Sequence, residues 1–98
     1  MTALERLAGA GFQILPAFQI LTHYAIERDG FVALVERLPD GSFGAIGAPG
    51  LLREGALAQL VWRAGGPVFV SKGREEPATT SQVEALRRFD RDLRQALG

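Results

Sequence analysis

Proton-transfer chemistry in this sequence would have to involve His23, the single histidine among 98 residues. Imidazole titrates near neutral pH, which suits a general base. In the segment HYAIERDGFVALVER, a tight turn at Asp29-Gly30 would bring Glu36 opposite His23, where its carboxylate could orient the ring. The serines of the chain are predicted to lie in a turn, a strand and a helix cap, so none is indicated as a nucleophile beside this pair. We therefore name His23 and Glu36 as the catalytic candidates, and favour an ordinary cross-strand contact over an enzyme.

A second candidate site combines two cations with the start of a helix. Lys72, Gly73 and Arg74 precede a predicted helix whose first residues include the hydroxyl of Ser81. Free backbone amides at a helix N-terminus and nearby cations attract anions. Two glutamates follow directly in the same predicted loop and oppose that attraction. These four residues are the candidates for binding a small ligand or an anion.

Metal and phosphate chemistry are not indicated. The chain has no cysteine and one histidine, so thiolate sites are excluded and transition-metal ligands would have to be carboxylates. Adjacent Glu75 and Glu76 have no third or fourth ligand at useful spacing. Gly44, Gly47 and Gly50 form G-x-x-G-x-x-G, which lacks the spacing and the lysine of phosphate-binding loops. We expect no metal and no cofactor, and interpret these glycines as a strand end and a loop.

The overall composition narrows the choice of partners. Eleven basic and eleven acidic residues give zero net charge, whereas nucleic-acid binders usually carry a basic excess. No apolar run approaches the roughly 20 residues of a membrane-spanning helix, and the segment MTALERLAGAG lacks the features of a signal peptide. The length is typical of one domain over residues 1–98. The sequence thus predicts a soluble, cytoplasmic protein without nucleic-acid or membrane partners.

Two β-hairpins are predicted from apolar runs that flank glycine-containing dipeptides. Asp29-Gly30 suits the positive φ angles of a two-residue type I′ turn. A second hairpin is predicted around Gly65-Gly66, where a two-residue turn would set Trp62 opposite Phe69. The predicted pairs of the first hairpin are Arg28 with Phe31, Ile26 with Ala33, Tyr24 with Val35, Glu27 with Val32, Ala25 with Leu34 and His23 with Glu36.

The segments around these hairpins carry turn and loop signals. A turn over residues 38–43 is predicted to lead into a third strand over residues 43–47. Residues 48–56 contain glycine and proline, and we interpret them as a connection with room for one helical turn. Residues 72–77 are interpreted as a charged loop.

The segment GFQILPAFQI, residues 11–20, contains the triplet FQI on both sides of Pro16. Alternate side chains of an extended chain share a face, so a strand here would place its apolar residues on one side. Pro16 has no amide to donate, which favours the edge of a sheet. A helix over residues 16–28 that begins at Pro16 is the alternative, and the sequence leaves it open while favouring the hairpin.

Capping boxes predict helices at both ends of the chain. Thr2 with Glu5 would begin a short N-terminal helix, and Ser81 with Glu84 a C-terminal one, with Thr79 and Gln82 as a less favoured alternative. The C-terminal helix is amphipathic, and its apolar positions are Val83, Leu86, Phe89, Leu93 and Leu97. The sequence therefore predicts an α+β fold, in which this helix covers an antiparallel sheet of four to six strands.

Two terminal helices are too few to cover both faces of such a sheet. An uncovered apolar face is typical of an interface, so the favoured function is a non-catalytic interaction module that self-associates as a homodimer. Alternatives are a small-ligand or anion-binding domain that uses residues 72–81 and, less favoured, an enzyme that uses His23 and Glu36. The interface candidates are Phe18, Ile20, Tyr24, Ile26 and Trp62.

Overall fold

An eight-stranded antiparallel sheet and two helices form the part of the chain that the computed structural model describes, residues 2–16 and 22–98. The α+β class, the short N-terminal helix and the C-terminal helix are confirmed, whereas the predicted count of four to six strands was too low. The elements are α1 (Ala3–Gly9), β1 (Gln13–Ile14), β2 (His23–Arg28), β3 (Phe31–Arg37), β4 (Phe43–Ile46), β5 (Gly50–Arg53), β6 (Ala56–Arg63), β7 (Gly66–Ser71), β8 (Arg74–Pro77) and α2 (Thr80–Leu97).

The turn at Asp29-Gly30 fixes the pairing of β2 with β3. Its two residues have φ angles of 54° and 87°, as a type I′ turn requires. All six predicted residue pairs of this hairpin are confirmed. The alternative helix over residues 16–28 is therefore wrong for residues 23–28, because the strand partners satisfy the backbone groups that a helix would pair internally. Residues 17–21 lie outside the described part of the chain.

Two further tight turns, Glu54-Gly55 and Lys72-Gly73, join β5 to β6 and β7 to β8. Their φ angles are 47° and 77° in the first and 49° and 77° in the second. The predicted connection over residues 48–56 and the predicted charged loop over residues 72–77 were thus wrong. In these turns the first positive φ falls on Glu54 and Lys72, residue types that favour it less than Asp does, so the sequence signal is weaker than that of Asp-Gly. By the strand pairing, both turns lie at the same end of the sheet as Asp29-Gly30.

The hairpin between β6 and β7 is confirmed, but its register is shifted from the prediction. Arg63 pairs with Gly66, so the turn residues are 64 and 65. Trp62 is consequently opposite Pro67, and the predicted pair of Trp62 with Phe69 is wrong. In the observed register the smaller Leu60 lies beside buried Phe69, while the Trp62 side chain is 60% exposed.

Strands β1 and β8 end the main path of the sheet, while β4 lies off this path and pairs only with β3 among the described strands. The edge strand predicted to run through Pro16 is confirmed for Gln13–Ile14 alone, because Pro16 lies beyond the end of β1 and residues 17–21 are outside the described part. Gln13 hydrogen-bonds Glu27 on the face opposite Phe12. Inside the sheet, β3 pairs with β4 near its C-terminal end and with β5 near its N-terminal end. The chain from β4 to β5 therefore passes along one side of β3 and bends between the two strands.

Both helices pack on one face of the sheet. The α1 capping box of Thr2 and Glu5 is confirmed. At α2, Thr79 is the cap and its hydroxyl accepts from Gln82 N at 3.1 Å, so the favoured box starting at Ser81 was wrong. Thr79 has the extended backbone of an N-cap, whereas Ser81 is already helical. Within the described residues, neither helix is long and apolar enough to cross a bilayer.

Phe89 is the centre of the core between α2 and the sheet. Its side chain is 1% exposed, and its ring lies 5.3 Å from the Phe12 ring in an edge-to-face arrangement and 6.3 Å from the Phe31 ring. The predicted apolar positions of α2 are buried, except that Leu97 is only partly buried. Ala96, which was not predicted, is buried as well. The other buried members of this cluster are Leu7, Ile26, Ala33, Val35, Ala58, Phe69, Leu86 and Leu93.

Arg28 connects three elements at the end of β2. Its guanidinium donates to the carbonyl of Ala10 at 3.1 Å and to the carboxylate of Asp92 at 2.9 Å, and its Cζ lies 4.5 Å from the centre of the Phe12 ring. The hydrogen bond from Arg28, with a smaller one from Arg91, holds the pKa of Asp92 below its usual value, against an opposing effect of desolvation. This cluster joins the sheet to both helices.

We expect Phe89→Ala to lower the free energy of unfolding by about 3–5 kcal/mol, because it removes a buried ring from three-way aromatic packing. Urea denaturation followed by circular dichroism would measure the loss. Arg88→Ala, on the exposed side of the same helix, is the control and should change stability by less than about 0.5 kcal/mol. Equal losses in both variants would contradict this packing.

Asp92→Asn should weaken the acid dependence of stability. Because the folded pKa of Asp92 is lowered, its interaction with Arg28 stabilises the fold above the unfolded pKa of about 3.9. That contribution disappears as the pH falls through the lower folded pKa. The variant should have a lower Tm than wild type at neutral pH and a smaller fall in Tm on acidification to about pH 3. Glu84→Gln is the control, because it removes a carboxylate from α2 away from Arg28. An equal reduction of the acid-induced fall in Tm in that variant would refute the role given to Asp92 and Arg28.

Candidate functional site

His23 and Glu36 lie opposite each other on β2 and β3, as predicted. Their hydrogen bonds go to other groups. His23 Nδ1 is 2.8 Å from the hydroxyl of Thr22, and Glu36 Oε1 accepts from the amide of Ala45 at 3.4 Å. The carboxylate expected to orient the imidazole is thus directed towards β4.

The two side chains line a shallow depression of about 370 Å³ beside the β4–β5 bend. Its other lining groups among the described residues are aliphatic side chains, glycine and the amide of Gln59, without a hydroxyl or thiol. Nucleophilic catalysis needs such a group within hydrogen-bond reach of the base. No three His, Asp or Glu side chains within residues 2–16 and 22–98 are grouped so that they could hold a metal ion. A hydroxyl within hydrogen-bond reach of His23 belongs to exposed Thr22, which does not line the depression, and Glu36 does not orient the ring.

Of the three glycines at positions 44, 47 and 50, Gly47 and Gly50 are explained by the close approach of neighbouring strands of the same chain. A Cβ on Gly47 would lie 2.8 Å from the carbonyl oxygen of Leu34. A Cβ on Gly50 would collide with the carbonyl oxygen of Ala58 and lie 2.9 Å from a Leu57 methyl. These positions require glycine where the chain bends alongside β3 and β6. The interpretation of this segment as a strand end and loop, however, missed strand β5.

The four anion-site candidates are distributed over two parts of the fold. Lys72 and Gly73 form the turn between β7 and β8, and Arg74 begins β8. Ser81 belongs to the first turn of α2, which starts after the opposite end of β8. Lys72 and Arg74 together line a cavity of about 450 Å³, and Ser81 is not among its lining residues. The predicted combination of cations with a helix start is therefore not built as one site.

The predicted interface residues also occupy different environments. Ile26 is fully buried beneath the helices, so it is not available to a partner in this fold, and proposing it as an interface residue was wrong. Tyr24 is half-buried, and its hydroxyl donates to the carbonyl of Gly41 at 2.6 Å. Trp62 is exposed, with the Arg87 guanidinium 6.0 Å from its ring centre. Phe18 and Ile20 lie outside the described residues.

The sheet face opposite the helices, called the open face below, carries six partly exposed aliphatic side chains. The pairing of Leu52 with Leu57 and of Val61 with Val68 places these residues on one side, together with their alternating neighbours. Sequence reasoning missed most of this face, although the alternation in β6 and β7 could have revealed it. The six residues are Leu34, Leu52, Leu57, Val61, Val68 and Val70.

Two carboxyl groups have a pKa below the usual value, and structural contacts explain both. Asp40 accepts hydrogen bonds from the hydroxyl and the amide of Ser42, which lower its pKa within the turn before β4. Asp92 owes its low pKa first to Arg28. Neither carboxyl group lines the depression beside His23.

Comparisons with protein families, with curated protein sequences and with solved structures find no match for this chain. The function has to be argued from the surfaces and cavities described above.

Gly50→Ala should lower the free energy of unfolding by about 1–3 kcal/mol, because its methyl group would collide with backbone atoms of β6. Chemical denaturation would measure the change. Gly9→Ala is the matched control, since its methyl group meets no atom within 4 Å and the residue is helical. That control should gain about 0.5–1 kcal/mol. Unchanged stability of Gly50→Ala would contradict the close approach.

Proposed function

We propose that this chain is a non-catalytic interaction module that self-associates as a homodimer through the open face. The observation that carries the proposal is an apolar sheet face opposite the one on which α1 and α2 pack. Contiguous exposed apolar patches beyond a few hundred Å² are rare on monomers and typically mark an interface.

Part of the open face is already removed from water, since Ala25 and Val32, at its β2–β3 end, are 1% and 0% exposed. The six aliphatic residues around and beyond them are partly exposed. A second aliphatic surface would remove the remaining apolar area from water, and this supplies the driving force for association.

The sheet edges oppose association by strand addition. Edge strand β8 consists of Arg74, Glu75, Glu76 and Pro77, all exposed. Edge strand β1 is two residues long, and β4, which pairs only with β3 among the described strands, is four residues long. Charged residues, proline and short length are the features that prevent edge-to-edge pairing. A partner is therefore expected to pack on the sheet face and not to extend the sheet.

Polar groups on the open face suit a symmetric contact. Gln59 lies within the aliphatic patch, and its amide can both donate and accept. Two copies related by a two-fold axis could pair these amides with each other, so that neither is left unsatisfied. At the rim, Arg63 and Glu75 form an ion pair at 2.6 Å. The zero net charge adds no overall repulsion between copies.

The enzyme alternative has less support, because Glu36 does not orient His23 and the Thr22 hydroxyl beside His23 lies outside the depression. The cytoplasmic location stays a prediction from the sequence, and cell fractionation would test it.

Val61→Glu should prevent self-association by placing a carboxylate in the middle of the open face, where burial without a partner is unfavourable. Sedimentation velocity of the wild-type chain at high micromolar concentration should show a dimer. The variant should sediment as a monomer, with self-association weakened at least about tenfold. Circular dichroism would establish that the variant is folded.

Two control variants locate the interface. Leu4→Glu introduces a carboxylate at a leucine of α1 that is 59% exposed. Trp62→Glu introduces one in place of the exposed indole beside α2. Both should remain dimers. A monomeric wild-type chain would refute the proposal, and so would a dimer disrupted by Trp62→Glu but not by Val61→Glu.

A further inference from the structure

We infer that a cavity at one corner of the helix-side sheet face binds a small organic monoanion with an apolar body, such as an aryl carboxylate. This corner cavity has a volume of about 450 Å³, within the range of about 300–1,000 Å³ found for small-molecule sites. Apart from Leu52, which also belongs to the open face, its strand residues lie on the helix side of the sheet, and the inference does not depend on self-association.

The floor of the corner cavity is apolar. Ala56, Ala58 and Phe69 line it, and the strand pairing places all three on the helix side of β6 and β7. Phe69 and Ala58 are each 2% exposed, so the apolar surface that a ligand can reach is mainly that of the partly exposed Ala56 and of the aliphatic parts of the rim side chains.

The cavity stays open because α2 crosses the sheet diagonally. The helix starts beyond the end of β8, passes Trp62 with Arg87, and reaches Arg28 on β2 with Asp92. The turns at Glu54-Gly55 and Lys72-Gly73 lie at the corner that this path leaves uncovered.

One ion pair lies in the rim of the cavity, and two further cations of the rim have no such partner among the described residues. Arg53 pairs with Glu76 at 3.2 Å across the opening. Within residues 2–16 and 22–98, Lys72 and Arg74 have no carboxylate partner within 4.0 Å. Ser71, which also lines the cavity, pairs with Arg74 and follows Phe69 on the same side of β7. Free ammonium and guanidinium groups over an apolar floor can hold a carboxylate while the rest of the ligand is desolvated.

The charge balance selects a monoanion. The lining contains three cations and the two carboxylates of Glu54 and Glu76, so its net charge is +1. A dianion or a polyphosphate would be repelled by these carboxylates, whereas a single carboxylate leaves the site neutral. The apolar floor then favours an aryl group over a small inorganic anion.

Titration of the full chain with phenylacetate, followed by backbone amide NMR, tests the inference. Shifts should concentrate at Phe69, Ser71 and Lys72 with a Kd at or below about 1 mM. Phenylacetamide, which lacks the charge, and acetate and inorganic phosphate, which lack the aryl group, should each bind at least about tenfold more weakly.

Three variants assign the contacts. The double variant Lys72→Gln with Arg74→Gln should lose phenylacetate binding, while Arg87→Gln with Arg88→Gln removes the same charge from α2 and should retain it. Ala56→Leu should also lose binding by filling the floor. The Lys72 and Arg74 variant should still sediment like wild type, which separates this site from the proposed dimer contact.

Several results would overturn the inference. These are the lack of localised shifts at about 10 mM phenylacetate, equal binding of phenylacetamide, and unchanged binding after loss of Lys72 and Arg74. Equal binding of inorganic phosphate would overturn the assignment to an organic anion.

Discussion

The register of the hairpin at Asp29-Gly30 is the constraint on which the rest of this fold depends. Side chains alternate between the faces of a strand, so a slip of one residue would send every apolar group to the other face. In the observed register Ile26, Ala33 and Val35 lie under the helices and supply the surface on which Phe89 packs. Strands β5 to β8 continue the same parity, and the open face and the corner cavity both follow from it.

Arg28 extends this constraint from the sheet to the helices. It is the last residue of β2, one position before the turn, so its orientation follows directly from the hairpin register. From there its guanidinium contacts the Phe12 ring, the end of α1 and Asp92 on α2. A partly exposed cation thus holds together elements that are far apart in sequence, while the interior of the described chain contains apolar side chains alone.

The sequence was sufficient where local chemistry decides the structure. Asp-Gly between apolar runs predicted a hairpin with all six pairs, and Thr2 with Glu5 predicted a helix start. The sequence was insufficient for the turns at Glu54-Gly55 and Lys72-Gly73, because their residue types are less distinctive of a tight turn than Asp-Gly. The candidate sites show the same division. The pairing of His23 with Glu36 could be predicted from the hairpin register. Alternation in the strands shows which side chains share a face, but which face stays open and where the corner cavity forms depend on the path of α2, which no local pattern specifies.

The meander order of the strands has a consequence for the order of folding. Most strands pair with a chain neighbour, so the sheet can grow from hairpins whose loop-closure entropy is small. The helix layer instead joins residues far apart in sequence, as in the hydrogen bond from Arg6 to the carbonyl of Ala96, 90 positions away. We therefore expect the hairpins to form first and the docking of α1 against α2 to close the structure last. Until that closure both faces of the sheet are bare, and the nascent chain is most prone to aggregation at this stage.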